Sequence, residues 1–334
     1  MITIILLILA LNFLIILNYE KFVKLINIYD LPNTKIKRHK KRVPITGGII
    51  LFINIFVYLS YQLFFFEKFF IYSIDQFQLR EIISIIFFLL SIFILGLYDD
   101  KYRLMPNTKL IWSIIIILCA LTLNDDLIID RLYFSFLNKV IFLNNFSTFF
   151  TIFCFLAILN ALNFFDGING QSCIFFSFLF WYLFLKTNVS FFYIFIFLLL
   201  FLLLILNIKN KLFLGDGGIL LLGSFFSIFL ILNYNLNQNK IFADEIFLVL
   251  FLPGIDLIRL IVIRFLKGKN IFEGDLLHIH HLLITKFSLI KTNVLLSIMS
   301  ILPLISYIYI IKNFFIVFSS SIILYVIMIL YLKK

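Results

Sequence analysis

Carboxylates, amides, histidines and glycines fall together in a few short blocks of a 334-residue chain in which only 13% of residues are charged. The adjacent carboxylates Asp99 and Asp100 could hold a hard cation or move a proton. Between Asn160 and Gln171, Asn160 and Asn163 are three residues apart and share a helix face, and Asp166 continues the stripe until Gly167 breaks it. Amides and a carboxylate facing one way suit a metal ion and a polar ligand. A turn rich in Asn, Asp and Gly would explain Asp166 to Gly170, but not the two Asn residues inside an apolar run. From Phe213 to Gly218, unhindered glycine backbone flanks Asp216, as expected where a phosphate or Mg²⁺ approaches closely.

His278, His280 and His281 follow another apolar run. Zinc would call for His-Glu-x-x-His spacing or nearby Cys, so protonatable donors to a phosphate are the better reading. The remaining histidine, His39, lies in a loop between Asp30 and Gly48 that carries two prolines, two glycines and a dense run of Lys and Arg. Read alone, that loop is a positive anchor on the cytoplasmic side. Asp125 and Asp126 form an internal control, a carboxylate pair with no other polar cluster, and read as a solvated loop. Asp256 and Arg259 are three apart within an apolar run and read as a structural ion pair. Cys119, Cys154 and Cys173 show neither metal spacing nor a disulfide framework and read as small buried hydrophobes.

The elements that must position these blocks are membrane helices. With 63% hydrophobic residues and a mean hydropathy of +1.13, the chain is far from a soluble domain, which is about 45–50% apolar. Polar breaks delimit eleven candidate spans: Ile2–Leu17, Ile45–Phe65, Ile82–Leu97, Leu110–Leu123, Phe149–Leu162, Ile174–Leu185, Phe191–Leu206, Ile219–Leu232, Ile246–Ile263, Val294–Ile311 and Phe314–Leu332. The first reads as retained, because no basic region precedes Ile2 and no small-residue cleavage site follows Leu17. With the N-terminus outside, 20 of the 28 Lys and Arg fall in cytoplasmic segments and seven in the opposite loops. The expectation is an all-α polytopic membrane protein, N-out and C-in, with residues 1–334 as one membrane-embedded domain and the polar blocks at cytoplasmic helix ends. The net charge of +11 then needs no nucleic acid; a basic membrane surface attracts anionic lipid and phosphorylated ligands at about 1 kcal/mol per charge.

Together these blocks resemble the polyprenyl-phosphate N-acetylhexosamine-1-phosphate transferase family of integral membrane enzymes, over essentially the whole chain and in the same order. The loop from Asp30 to Gly48 is similar to the family's Asp-x-Pro-Asn…His…Pro-x-x-Gly-Gly motif, and Asp99-Asp100 to its aspartate pair. Asn160 to Gly170 is similar to Asn-x-x-Asn-x-x-Asp-Gly, Phe213 to Asp216 to Phe-x-Gly-Asp, and His278 to His281 to the histidine motif. Asn169 stands where many members have Asp, and Gln171 where Leu is usual. The spacing His-Ile-His-His resembles the branch that starts O-antigen, teichoic acid and related cell-surface glycans, whose members include undecaprenyl-phosphate GlcNAc-1-phosphate transferases.

The resemblance implies that a UDP-N-acetylhexosamine donates its sugar-1-phosphate to a polyprenyl (undecaprenyl) phosphate, with release of UMP and with Mg²⁺, replaceable by Mn²⁺, as cofactor. It implies Asn163 and Asp216 as metal ligands, Asp99 and Asp100 orienting the acceptor or assisting its deprotonation, and His278, His280 and His281 on the diphosphate. Phe213 would stack on uracil, and Asn160, Asp166 and Asn169 would bind nucleoside or sugar. Asn33, Lys37, Arg38 and His39 would contact phosphate. The expected location is the cell (cytoplasmic) membrane, in contact with membrane lipid, and a homodimer is compatible with this reading. The rival class is a multispanning secondary transporter of a phosphorylated or anionic solute, against which stands the nearly pure apolarity of the mid-membrane regions. A lipid phosphatase lacks the expected serine, histidine and arginine blocks.

Overall fold

The computed structural model describes residues 2–32, 41–65, 79–137, 139–187, 190–236, 241–268 and 276–333. Asn33, Lys37, Arg38 and His39 lie outside the described residues. Long uninterrupted runs of Leu, Ile and Phe make helices, because in lipid every backbone polar group must find its partner within the segment. The helices are α1 (Ile2–Leu17), α2 (Tyr19–Ile26), α3 (Gly47–Phe65), α4 (Leu79–Tyr102), α5 (Pro106–Leu123), α6 (Ser147–Phe165), α7 (Gln171–Lys186) and α8 (Ser190–Ile208). They continue with α9 (Gly215–Leu236), α10 (Ala243–Val249), α11 (Phe251–Leu266), α12 (Ile279–Lys286), α13 (Leu289–Ile305) and α14 (Phe314–Lys333). The described residues also form two short antiparallel ladders, β1 (Tyr29–Asp30) with β2 (Val43–Pro44), and β3 (Arg131–Leu132) with β4 (Ile141–Phe142).

The apolar runs lie in helical segments, but Ile246–Ile263 is broken between α10 and α11, and Val294–Ile311 continues past the end of α13 into a π-helical turn at Ser306–Ile311. Six helices among the described residues are long and apolar enough to cross a membrane, and two further spans arise if each bent pair counts as one. Gly47–Tyr61, Gln171–Lys186 and Phe192–Ile208 are shorter apolar helices. The protein is an all-α polytopic membrane protein. The bent pairs were not legible as breaks: α1 turns into α2 by 81° and α10 into α11 by 73°. At the second bend Pro253 lacks the N–H that would bond the carbonyl of Val249, the last residue of α10, so the helical ladder stops there. Proline is tolerated in the first turn of α11, where N–H groups have no helical partner anyway.

The chain divides into two compact units, Met1–Asp125 with Thr187–Phe229, and Asp126–Lys186 with Leu230–Lys334. In the first, Asn12 of α1 and Asn54 of α3 exchange amide hydrogen bonds of 2.7 and 3.0 Å, both side chains being buried. Backbone meets backbone around the start of α9. A Cβ on Gly48 would lie 2.5 Å from the Gly218 nitrogen, and one on Gly96 2.5 Å from the Gly217 Cα, so only glycine admits these approaches. In the second unit, α6, α7 and α10 to α14 enclose an aromatic core that includes Phe175, Phe176, Phe180 and Tyr182. Away from the polar blocks, buried Asp244 accepts from the Ser135 and Tyr307 hydroxyls, and Glu245 from Lys186 at 2.7 Å, tying the β3–β4 hairpin and α7 to the first turn of α10.

Candidate active site

In the first unit the site is assembled from three helix ends. Asp99 and Asp100 occupy the last turns of α4. A tight reversal follows, with Arg103 at φ 52°, and the Leu104 N–H donates to the Asp99 carboxylate at 2.7 Å. Pro106 then opens α5, which brings Lys109 back in its first turn. The Lys109 ammonium donates to Asp99 at 2.7 Å and to Asp216, at the start of α9, at 2.5 Å. Asp100 turns elsewhere: its two oxygens accept from the backbone N–H groups of Asp216 at 2.8 Å and Gly217 at 3.0 Å, capping α9. Gly215 makes this possible, with φ +71° and no room for a Cβ against the Asp100 carboxylate and Ile45. The neighbouring Phe213 is half-buried, its backbone N–H bonded to Pro44 and its carbonyl to Gly47.

Three carboxylates and one ammonium leave the cluster with a net negative charge of about two. Asp99 and Asp216 offer hard oxygen donors to one cation position, now taken by the Lys109 ammonium. Among the described residues no group of three or more His, Cys, Asp or Glu is arranged to hold a metal. Two carboxylates completed by substrate phosphates is nevertheless the donor set Mg²⁺ commonly takes, so the residues fit that ion.

In the second unit the block at the end of α6 and the histidine motif pack together. Phe164 stacks on His278 at 5.7 Å, Phe165 meets His280 edge-on at 6.2 Å, and His280 stacks on His278 at 5.4 Å and contacts His281 at 4.2 Å. The His280 ring lies where a Cβ on Gly167 would have to go. Asp166 is exposed and accepts from the Ser172 hydroxyl; Asn160 returns its amide to the Leu156 carbonyl of its own helix at 2.8 Å. The Asn169 carbonyl accepts from Asn293 of α13 at 2.9 Å, and Asn163 is half-buried on α6. Buried Arg264 sits over the Phe164 ring at 5.6 Å. Asp256 pairs with Arg259 at 2.7 Å, as expected, but also binds His278 at 2.8 Å.

The control pair behaves differently: Asp125 and Asp126 are exposed in a short 3-10 turn. Nearby, hydrogen bonds from the Arg131 guanidinium hold the Asp130 carboxyl below its usual range.

Comparison with known proteins points the same way as the motifs. The sequence model of glycosyl transferase family 4 matches residues 82–234. Undecaprenyl-phosphate alpha-N-acetylglucosaminyl 1-phosphate transferase of Escherichia coli K12 is 23% identical over 276 residues, 79% of this chain and 71% of that protein. The enzyme of the same name from Salmonella typhi is 25% identical over 269 residues, 77% and 69% of the two chains. That of Haemophilus influenzae is 24% identical over 276 residues, 78% and 72%. The chain is similar to glycosyl transferase family 4 over residues 82–234, a little under half of its length. The family 4 match takes in Asp99, Asp100, Lys109, the Asn160–Gly170 block and Asp216, while the histidine motif lies beyond it. These likenesses give the transporter reading no support.

Two residues, one in each unit, escaped the motif reading. Lys109 was visible only as one more cytoplasmic cation. Its signal was its position, a positive charge in the first turn of a helix that has no acidic residue there, where the helix dipole disfavours it. Asp256 was visible as half of an ion pair, its histidine partner being 22 residues away.

Proposed function

We propose that the protein transfers N-acetylhexosamine-1-phosphate, with GlcNAc-1-phosphate as first choice, from a UDP-sugar to undecaprenyl or another polyprenyl phosphate, releasing UMP and starting a lipid-linked cell-surface glycan. The observation that carries this reading is alignment over 77–79% of the chain with family relatives named for that reaction. The chemistry of both polar clusters supports it.

An oxygen of the acceptor phosphate forms a bond to the β-phosphorus of the donor, and the bond from that phosphorus to the oxygen bridging to the α-phosphate breaks. The oxygen leaves with UMP, and the sugar keeps its anomeric bond. A phosphate monoester with a second pKa of about 6 is already largely dianionic at neutral pH, so the first demand on the protein is positioning and charge compensation. Lys109 holds Asp99 and Asp216 together against their mutual repulsion, and Asp100 fixes the backbone that carries Asp216. Mg²⁺, held by Asp216 with Asp99 as a further donor, would supply neutralisation of the phosphoryl oxygens when bound; for Asn163 as a ligand the motif resemblance is the support. The histidines and Arg264 would serve diphosphate charge, Asp166 and Asn169 the nucleoside or sugar, Phe213 the uracil, and Asn33, Lys37, Arg38 and His39 the acceptor phosphate. The acceptor's tail stays in lipid while its phosphate sits at the interface, which is why helix-end residues are the ones suited to this reaction.

With UDP-GlcNAc labelled in the β-phosphate, purified protein should move label into the lipid fraction as a diphosphate, and added UMP should drive it back. Label recovered as soluble UDP would overturn phosphosugar transfer. The reading also carries an orientation, with eleven crossings, the N-terminus outside and the polar clusters on the cytoplasmic side. In a cysteine-free background, a cysteine at Lys209 should resist impermeant thiol reagents in intact cells and one at Asp125 should react; the reverse pattern would refute it.

A further inference from the structure

Asp256 is 1% exposed on α11, yet four donors converge on its carboxylate. Arg259 donates at 2.7 Å, Tyr325 of α14 at 2.6 Å, the Ile279 N–H at 3.3 Å, and His278 Nδ1 lies at 2.8 Å. The Arg259 Nε–H in turn donates to the Tyr325 hydroxyl at 2.6 Å, and its Nη2 reaches the Leu277 carbonyl at 2.6 Å. The backbone is therefore pinned on both sides of His278, by Arg259 before it and by Asp256 after it. The ring itself is held face-on by Phe164, at 18° between planes, and by His280, at 8°.

A carboxylate that faces an arginine, a tyrosine hydroxyl and a backbone N–H is an acceptor, so the proton between it and His278 belongs on Nδ1. That leaves Nε2 as the working atom. Nε2 is buried and has no hydrogen-bond partner among the described residues. A buried polar atom in this state is unfavourable, and a bound group that accepts from it would remove that cost.

We infer that Asp256 is a positioning residue for the transfer reaction: with Arg259 and Tyr325 it fixes the Nδ1–H form of His278 and aims Nε2 at a phosphate oxygen of the bound substrate. This rests on the reading of the reaction given above. When Nε2 donates to that oxygen the ring carries a proton on each nitrogen, and Asp256 compensates the charge. An Asn at 256 can turn its NH₂ toward Nδ1 and impose the opposite tautomer, which a charged carboxylate cannot do.

The test uses full-length protein in nanodiscs with ¹⁵N-labelled histidine, the His278 signals being assigned by their loss in His278→Asn. The wild type should show a protonated Nδ1. In Asp256→Asn the His278 signals should move toward the Nε2–H form and kcat should fall roughly 100-fold, with KM for UDP-GlcNAc within about threefold. Asp256→Glu, which keeps a charged acceptor, should recover about tenfold or more over Asp256→Asn. Should Asp256→Asn fail to fold, Tyr325→Phe, which alters no charge, carries the same spectra, with a shift in the His278 signals and a loss of about two- to tenfold expected. His278 signals unchanged by either variant, or a loss confined to KM, would reduce the network to a brace and overturn the inference. If wild-type protein turns over no UDP-N-acetylhexosamine, the reaction is wrongly assigned, and the spectra, which need no substrate, still decide whether Asp256 sets the tautomer.

Discussion

In the first unit the candidate residues hold one another by charge: Lys109 lies between Asp99 and Asp216, and Asp100 is spent on two backbone N–H groups. In the second, rings and amides hold one another by packing, Phe164 and Phe165 against His278 and His280, and formal charge enters through Asp256, Arg259, Arg264 and the exposed Asp166. The difference teaches which perturbation each region should feel. A cluster balanced by charge responds to the removal of one charge with repulsion among those left, whereas a packed cluster responds to added volume.

The largest expected effect follows from the first half of that comparison. Asp216→Asn should lower kcat by about 10²–10³-fold, with part of the loss regained at high Mg²⁺, because it removes a charge suited to the transferring phosphoryl group. A defect indifferent to Mg²⁺ concentration would separate Asp216 from the cation. Lys109→Met should cost less, roughly 10- to 100-fold, the range expected when hydrogen bonds to charged groups are lost. Its Mg²⁺ requirement should also change, since Asp99 and Asp216 are then left unscreened; an unchanged Mg²⁺ titration would argue that the lysine is only structural.

The second half of the comparison is tested by volume. Gly167→Ala should destabilise the histidine cluster by about 1–3 kcal/mol, read as a lowered thermal midpoint, because the new methyl must displace the His280 ring. Wild-type melting together with wild-type activity would show that the cluster gives way freely. Smallest of all, Asp125→Asn should stay within about 0.5 kcal/mol in stability and leave turnover unchanged, since its carboxylate is solvated. A loss comparable to that of Asp216→Asn would dissolve the distinction between the two aspartate-rich regions.

What was legible in the sequence follows from the same contrast. Hydropathy located the helical segments because lipid leaves a spanning backbone few alternatives to a helix, although among the described residues six helices, or eight with the bent pairs, are long and apolar enough to cross. The same averaging cannot see a bend such as the one at Leu250, which depends on one proline three residues on and on where the ladder can restart. Among polar residues, those in contiguous blocks were found as blocks, but their division of labour was not. Asp99 and Asp100 read as a matched pair, yet one faces an ammonium and the other a helix start. That split is decided by Lys109 and Gly217, the latter 117 residues from Asp100. Lys109 with Asp216 and Asp256 with His278 are likewise tertiary pairings with no local spacing to announce them.

The glycine contacts around α9 carry a consequence for heredity. At Gly48 against Gly218 and Gly96 against Gly217 there is no side chain to exchange, so no compensating second substitution can accommodate a methyl at the first. Under selection for any substrate whatever, the codons of Gly48, Gly96 and Gly218, where a Cβ would come within 3.0 Å of backbone, should drift as little as those of the aspartates beside them. In a saturation library scored for survival, they should rank with the chemistry although they never touch it. Screening the same library for folded, membrane-inserted protein instead of growth should part the two groups, with the glycines still intolerant and Asp99 and Asp216 replaceable.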